Sequence, residues 1–276
     1  RQRRQRQRGR WRRRELSLRT VVPPATVIVG AIAAWQLIVV ASGLPPFILP
    51  SPAQVVQAGV DTWGVLGPAI LTTLFETLLG LSIAVVLGVA FAGAMDLVPL
   101  LRRAIYPILV ASQTVQILAV APLLIIWFGF GLTPNIMVVV LFTFFPMTVS
   151  TVDGLTSADP DYIGLLRSMR ATRRQIWRTV RLPAALPSFF SGLRLSVTYS
   201  VVAATIGEWV GGSGGLGLYM LRSKNALQTD QVFIAMLITT LLSIGLFLLV
   251  FAIEHLALPW YYTARRREQW EEQGIY

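Results

Sequence analysis

The chain has 276 residues, of which 54% are hydrophobic and only 13% are charged, and its net charge is +11. A soluble domain typically carries about 25% charged residues, so this composition excludes a soluble globular protein and predicts one integral membrane domain. The absence of cysteine also excludes a disulfide framework, a thiolate nucleophile and any cysteine-ligated zinc or iron–sulfur site.

The first segment is strongly basic, because a large share of the 24 lysines and arginines lies between Arg1 and Arg19. Such charge can attract nucleic acid or anionic lipid, but it is also typical of a solvated tail that sets membrane topology. We favour a cytoplasmic tail over residues 1–20 that binds no nucleic acid. The uncharged residues 22–42 that follow are longer than a signal-peptide core of roughly 7 to 15 residues, which predicts a retained span.

Six segments are apolar and long enough to cross a bilayer as helices, which takes about 20 residues each. They are residues 22–42, 69–95, 104–128, 135–155, 187–210 and 232–258. Glycine- and proline-rich breaks separate them, and residues 129–134 divide one long uncharged stretch into the third and fourth spans. The predicted fold class is therefore an all-α integral membrane protein with six transmembrane helices.

Lysine and arginine are distributed unevenly between the two sides that these spans define. Both termini, Arg102, Arg103 and the loop over residues 156–187 fall on one side, whereas Arg222 and Lys224 are alone on the other. Positive charge is retained in the cytoplasm, so we expect both termini and the loop to be cytoplasmic. The domain organisation that follows is a tail over 1–20, a six-span domain over 21–262 and a C-terminal tail over 263–276.

Two glutamates lie within predicted spans. Glu76 begins a ridge that repeats every four residues and continues with Gly80, Ala84, Gly88 and Ala92. Small residues at this spacing let helices approach closely, and a carboxyl group avoids lipid, so Glu76 is expected to point inward. It either contributes a polar group to a solute path or bonds to a neighbouring helix. Glu208, near the outer end of the fifth span, either lines a vestibule or lies among the lipid headgroups.

Motifs that would indicate an enzyme find no support. Residues 212–217 match the dinucleotide fingerprint GxGxxG, but they follow a membrane span and not a strand, so a flexible or re-entrant turn is the better interpretation. Lys224 is followed by Asn225 and belongs to no P-loop, and the single histidine, His255, cannot form a metal cluster. We therefore predict no catalytic residue, metal or cofactor on this chain.

The basic loop between the fourth and fifth spans predicts two short helices. Asp159 is a helix-start residue, which predicts a helix over 164–171, and Thr172 is a cap for a second helix that continues into residues 182–187. The first helix would present an apolar face edged by arginine, which is typical of a docking surface. That face consists of Leu165, Leu166 and Met169 with Arg167 and Arg170 beside it.

At this loop the chain resembles the membrane permease subunits of bacterial ABC importers. Their loop carries a pattern close to E-A-A, three residues, G, about nine residues and I-x-L-P, and here residues 180–183 read Val-Arg-Leu-Pro. The chain departs from the pattern at 164–166, which read Gly-Leu-Leu, and at Arg170, which stands at the usual glycine. Residues 122–131 and 207–210 look like the branch that imports sulfonates, taurine, nitrate, and pyrimidine or flavin vitamin precursors.

The resemblance implies an inner-membrane homodimer of permeases, a cytoplasmic ATPase dimer that binds ATP and Mg²⁺, and an extracytoplasmic solute-binding protein. A coupling helix on the loop would enter a groove on the ATPase. The expected coupling residues are Gly164, Leu165, Leu166, Arg167, Met169, Arg170, Ala171 and Pro183. The expected pathway residues, on facing spans, are Glu76, Gln113, Gln116, Thr205 and Glu208.

Several alternatives stay open at this point. Gln113 and Gln116, three residues apart, would share a helix face and either line the pathway or bond between helices. The solute is expected to be a heterocyclic vitamin or its precursor, with a sulfonate, taurine or nitrate as the alternative. A secondary transporter driven by an ion gradient is the rival from another class, although no internal repeat supports it.

Overall fold

The structure is a computed structural model that describes Pro23 and residues 26–261, so both predicted tails lie outside the described residues. Regular structure in this part of the chain is helical, as predicted for an all-α membrane protein. The helices are α1 Thr26–Ser42, α2 Pro52–Asp61, α3 Trp63–Leu97, α4 Pro99–Ser112, α5 Ile117–Phe128, α6 Leu132–Thr156, α7 Pro160–Ser168, α8 Arg173–Ile176, α9 Leu182–Gly211, α10 Gly215–Asn225 and α11 Thr229–Ala257, with a π-helical turn, Trp177–Arg181, joining α8 to α9.

Four of the described helical segments are long and apolar enough to cross a membrane. They are α3, α6, the continuous segment Arg173–Gly211 and α11. These contain most of the predicted second, fourth, fifth and sixth spans. The predicted first span corresponds to the shorter apolar helix α1, and the residues that precede α1 are mostly outside the described part.

The predicted third span, residues 104–128, is not a single helix, because the helix stops at Ser112 and restarts at Ile117. The Ser112 and Thr114 hydroxyls each donate a hydrogen bond of 2.7 Å to a carbonyl three residues earlier. The Gln113 N–H also bonds three residues back, to Val110, so the last turn tightens before it ends. Hydroxyls that bond to nearby backbone compete with the helical ladder and favour a break.

This break also corrects a second prediction. Gln113 is the last residue of the α4 turn and Gln116 precedes the first residue of α5. The two side chains therefore belong to the ends of different helices and do not share one helix face.

Contacts among the described residues divide the chain into two compact units. The first ends at Thr62 and also includes Ser223–Ile234. Within it the Trp35 and Phe233 rings stack at 5.5 Å between centroids. The second unit comprises Trp63–Arg222 and the residues from Ala235 onward, and it contains the helices discussed below.

The centre of the second unit is the packing of α3 against α6 and α9. The ridge of small residues on α3 faces this centre: a Cβ added to Gly80 would lie 2.6 Å from Val139 of α6, and one added to Gly88 would lie 3.1 Å from Thr148. Ala84 and Ala92 on the same ridge are fully buried. Close helix approach through small residues is the expected way to gain packing energy in a membrane.

The loop after α6 carries a short helix, but both boundaries differ from the predicted 164–171. The helix begins at Pro160, where the Asp159 side chain caps it by accepting a hydrogen bond of 2.8 Å from the Asp161 N–H, as expected of a helix-start residue. The helix ends at Ser168 and not at Ala171, because Arg170 has a φ of +58°. The Ala171 N–H bonds to the Leu166 carbonyl and the Arg170 N–H to the Arg167 carbonyl, which is the Schellman pattern of a left-handed helix end.

The left-handed conformation explains why the related pattern carries glycine at this position. A non-glycine residue there costs about 1 kcal/mol. We expect Arg170→Gly to raise the apparent melting temperature of the detergent-solubilised protein by about 2–4 °C. Arg167→Gly is the matched control: it lies inside the helix, where glycine is unfavourable, so it should lower the melting temperature. Equal effects of the two changes would contradict this account.

The second loop helix begins at a capping box, as predicted from Thr172. The Gln175 N–H donates to the Thr172 hydroxyl, and the Thr172 N–H donates to the Gln175 side chain at 2.7 Å. The chain then passes through the π-helical turn into α9 without interruption. Pro183, the second residue of α9, lacks an N–H and its ring crowds the carbonyl four residues earlier, which accounts for the wider turn before it.

Candidate functional site

Two buried carboxyl groups lie next to each other in the second unit, on α3 and α9. Glu76 and Glu208 are almost completely buried, and each is the other's neighbour. Glu76 therefore points inward, as predicted. The Asn135 side-chain N–H of α6 donates a hydrogen bond of 3.0 Å to Glu76 Oε1, so Glu76 links α3 to α6.

Glu208 is bound by hydrogen-bond donors on both carboxylate oxygens. The Thr73 hydroxyl of α3 donates to Oε1 at 2.6 Å, and the Gly217 N–H donates to Oε2 at 2.5 Å. The Leu216 N–H donates a hydrogen bond of 2.8 Å to the Thr73 hydroxyl oxygen. The hydroxyl of Thr73 thus accepts from Leu216 and donates its hydrogen to Glu208. The carboxylate thus accepts from the first turn of α10, where free N–H groups and the helix dipole favour negative charge.

The glycines of residues 212–217 make this arrangement possible. A Cβ on Gly215, whose φ is +93°, would lie 2.0 Å from Glu208 Oε1, and one on Gly217 would lie 2.3 Å from the Thr205 carbonyl oxygen. A Cβ on Gly212 would lie 2.7 Å from the Glu208 Cα. The motif that resembles a nucleotide fingerprint is therefore a turn that wraps around an internal carboxylate.

The two glutamates should respond differently to glutamine. In Glu76→Gln the amide oxygen still accepts from Asn135, so we expect a change of at most about 1 kcal/mol in stability. In Glu208→Gln the amide N–H₂ faces either the Gly217 N–H or the Thr73 hydroxyl, and in the second case that hydroxyl must turn its hydrogen to the Ala69 carbonyl, 3.2 Å away. Either way the short bond to residue 208 is lost, which costs about 1–3 kcal/mol. The apparent melting temperature of the purified variants measures this asymmetry. A larger loss for Glu76→Gln would contradict the hydrogen-bond assignment.

The loop presents its apolar residues to the exterior. Leu165 is 58% and Met169 70% exposed, and Tyr162 is also exposed, whereas Leu166 is half-buried against the rest of the loop. Arg167 and Arg170 are exposed, Ala171 is half-buried, and Gly164 faces open space. These predicted coupling residues therefore form one patch on α7 and its C-terminal turn, while Pro183 lies apart at the start of α9.

An ion pair connects the end of this loop to the bundle. Arg181, the last residue of the π-helical turn, pairs with Asp96 near the end of α3. Asp96 is largely buried, so the pair fixes the loop's second half against α3. Sequence spacing could not reveal the pair, because its members are far apart in the chain.

The predicted pathway residues do not form one cluster. Gln113 lines a cavity of about 330 Å³ beside the break between α4 and α5. Gln116 is exposed and does not belong to that lining, and Thr205 is buried with its hydroxyl bonded to the Val201 carbonyl of its own helix at 2.9 Å. Glu76 and Glu208 belong to the internal network described above.

The hydrogen-bond partners of these glutamates were not predicted from the sequence. Thr73 lies three residues before Glu76, on the same helix face, so the helical period could have indicated it. Asn135 is a polar residue at the start of a predicted span and carried a similar signal. Among residues 26–261, histidine, aspartate and glutamate form no group of three or more that could hold a metal ion.

Comparison with known proteins gives a consistent answer. A family model described as the binding-protein-dependent transport system inner membrane component matches residues 84–260. The chain is 38% identical over 216 residues to the formylaminopyrimidine transport permease protein ThiX of Halalkalibacterium halodurans, covering 78% of this chain and 86% of that protein. It is 34% identical to the riboflavin transport system permease protein RibX of Chloroflexus aurantiacus, with coverage of 82% and 85%.

More distant similarities extend the same pattern. The taurine transport system permease protein TauC of Escherichia coli is 28% identical over 86% of this chain and 90% of its own length. Among solved structures, an inward-facing conformation of the MetNI methionine ABC transporter matches with a TM-score of 0.53 and 20% identity, covering 69% of this chain and 98% of that one. At this identity the structural likeness establishes the fold.

Proposed function

Since the chain belongs to the family of binding-protein-dependent transport system inner membrane components, we propose that it forms the translocation pathway of an ATP-driven importer for a small organic solute. Such permeases are not themselves enzymes, and ATP and Mg²⁺ would bind to a separate ATPase subunit. Two copies of this chain, an ATPase dimer and an extracytoplasmic binding protein would complete the transporter.

The observation that carries this proposal is the exposed apolar patch of α7. Tyr162, Leu165 and Met169 are exposed on a short helix that lies between two bundle segments and is surrounded by arginines. An apolar patch edged by arginine has the composition of a protein interface. In the proposed topology this patch faces the cytoplasm, together with both termini, and docks into the ATPase.

A continuous helix connects the loop directly to a membrane-spanning segment. From Arg173 the chain runs as one uninterrupted helical segment to Gly211, and Arg181 also pairs with Asp96 of α3. A displacement of the loop by the ATPase would therefore move two central helices together. Movement of packed helices as units is a common basis for switching between outward-open and inward-open forms.

The solute class follows from the relatives and not from the fold. ThiX and RibX, whose names specify a formylaminopyrimidine and riboflavin, support a heterocyclic vitamin or precursor as the solute of this chain. The similarity to TauC favours a sulfonate such as taurine as the second candidate. In this family the binding protein delivers the solute, so its ligand would identify the cargo.

Reconstitution tests the proposal. The chain is placed in proteoliposomes with its ATPase and binding protein, and uptake of labelled riboflavin, a labelled aminopyrimidine and taurine is measured. We expect uptake only when ATP is present on the side of the membrane where the ATPase lies, and no uptake when ADP replaces ATP. Uptake that needs an ion gradient and proceeds without the ATPase would instead establish a secondary transporter.

A further inference from the structure

The break between α4 and α5 opens onto the cavity of about 330 Å³. Five neighbouring elements contribute to it: the end of α4, the break itself, α5, α6 and α9. The lining residues are Ser112, Gln113, Val115, Val120, Leu141, Phe142, Phe145, Pro146 and Tyr199. A volume near 300 Å³ is at the lower end of small-molecule sites, and it suits a solute of one or two rings.

A broken helix at this depth needs a reason. Backbone that leaves the helical ladder inside a membrane is tolerated only where protein buries it or where it lines a wet cavity. The break at residues 113–116 adjoins this cavity, since both Gln113 and Val115 belong to its lining. Discontinuous helices of this kind commonly mark solute sites in transporters.

The chemistry of the lining is selective. None of the nine residues carries a charge, so the cavity offers no cation to a sulfonate or nitrate. Phe142 and Tyr199 pack with their ring centroids 5.4 Å apart and tilted by 53°. A flat π-system can therefore stack on one of these rings while its edge meets the other.

The polar groups of the lining are few and of a definite kind. The Gln113 side chain has both a donor and an acceptor on one planar amide. The Ser112 hydroxyl donates to the Leu109 carbonyl at 2.7 Å, so its oxygen is left to accept. A ring edge that presents a donor beside an acceptor is complementary to the Gln113 amide.

We propose that the cavity at the break of the third span binds a planar, uncharged nitrogen heterocycle, which stacks on Phe142, meets Tyr199 with its edge and hydrogen-bonds to Gln113. The cavity is a solute station within the membrane, separate from the binding protein. This inference rests on the proposed importer function and favours the heterocyclic solutes over the sulfonates.

The test is direct binding to the assembled permease and ATPase in detergent, with the binding protein left out. The two-ring heterocycle 2-aminopurine is followed by quenching of its fluorescence, 4-aminopyrimidine by calorimetry, and taurine, a zwitterion, serves as the sulfonate comparison. We expect the two heterocycles to bind saturably and taurine not to bind. Absence of binding by both heterocycles, or tighter binding of taurine, would overturn the proposal.

Variants locate the binding. Gln113→Leu is expected to weaken heterocycle binding by about tenfold through loss of the amide, and Phe142→Leu by about tenfold through loss of stacking. Gln57→Leu is the matched control, since Gln57 is an exposed glutamine of α2 outside the lining, and heterocycle binding by this variant should equal that of the unmodified protein. If Gln113→Leu binds the heterocycles as well as Gln57→Leu does, the solute binds elsewhere.

The two proposals fail in different ways. If ATP-driven uptake occurs but heterocycle binding is unaffected by the cavity variants, the cavity assignment is wrong and the importer function stands. If uptake never requires the ATPase, the importer function is wrong whatever the cavity binds. Elution of each variant as a single assembled species excludes misfolding as the cause of a lost signal.

Discussion

Met169→Glu is expected to abolish ATP-driven uptake while the protein still inserts and folds. Met169 is 70% exposed at the end of α7, so a charge there meets water in the free permease and costs little. In a docked complex the same carboxylate would be desolvated without a partner, at a cost of about 2–5 kcal/mol. That cost weakens ATPase association by roughly 30-fold or more. Copurification of the ATPase with the permease measures the loss.

The control for this change is Leu227→Glu. Leu227 is 69% exposed and, in the proposed topology, lies on the opposite side of the membrane. The same increase in charge there should leave ATPase copurification unchanged. The docking assignment would be refuted by a Met169→Glu permease that retains its ATPase and ATP-driven uptake.

Gly215→Ala is expected to disrupt the junction between α9 and α10. The added Cβ would lie 2.0 Å from a Glu208 carboxylate oxygen, and the φ of +93° is unfavourable for alanine. Displacing Glu208 would also remove its bonds from Thr73 and Gly217. We expect a loss of at least about 3 kcal/mol, seen as a fall of about 6–12 °C in the apparent melting temperature or as failure to accumulate in the membrane.

Gly214→Ala provides the matched control within the same turn. Its nearest neighbour would be the Thr72 side chain at 3.7 Å, an ordinary van der Waals distance, so stability should hardly change. The account of this turn fails if Gly214→Ala is as damaging as Gly215→Ala. A nucleotide-binding role for the motif gives no reason for such a difference between adjacent glycines.

The sequence predicted the features that depend on local pattern. Helix starts at Asp159 and Thr172 followed from capping chemistry, and the ridge beginning at Glu76 followed from the four-residue period. Apolar length predicted the four long spans that the described residues contain. Each of these signals lies within a few residues of the structure that it specifies.

The features that the sequence did not predict depend on contacts between distant residues, or on side chains that compete locally with the backbone hydrogen bonds of a helix. Residues 112–116 form a short polar run inside the uncharged stretch, but no glycine, proline or charge marks a helix end there, so the break beside the Ser112 and Thr114 hydroxyls was not predicted. The bond from Thr73 to Glu208 spans 135 positions. A single sequence does not show which distant polar residues meet, because burial inside the bundle decides it.

The π-helical turn at Trp177–Arg181 has a mechanical consequence. A π turn holds about one residue more than an α turn, and each residue of an α-helix corresponds to a rotation of about 100°. Converting this π turn to an α turn would therefore rotate the residues that precede it about the axis of α9. The Asp96–Arg181 ion pair joins the last residue of the turn to α3 and would oppose that rotation.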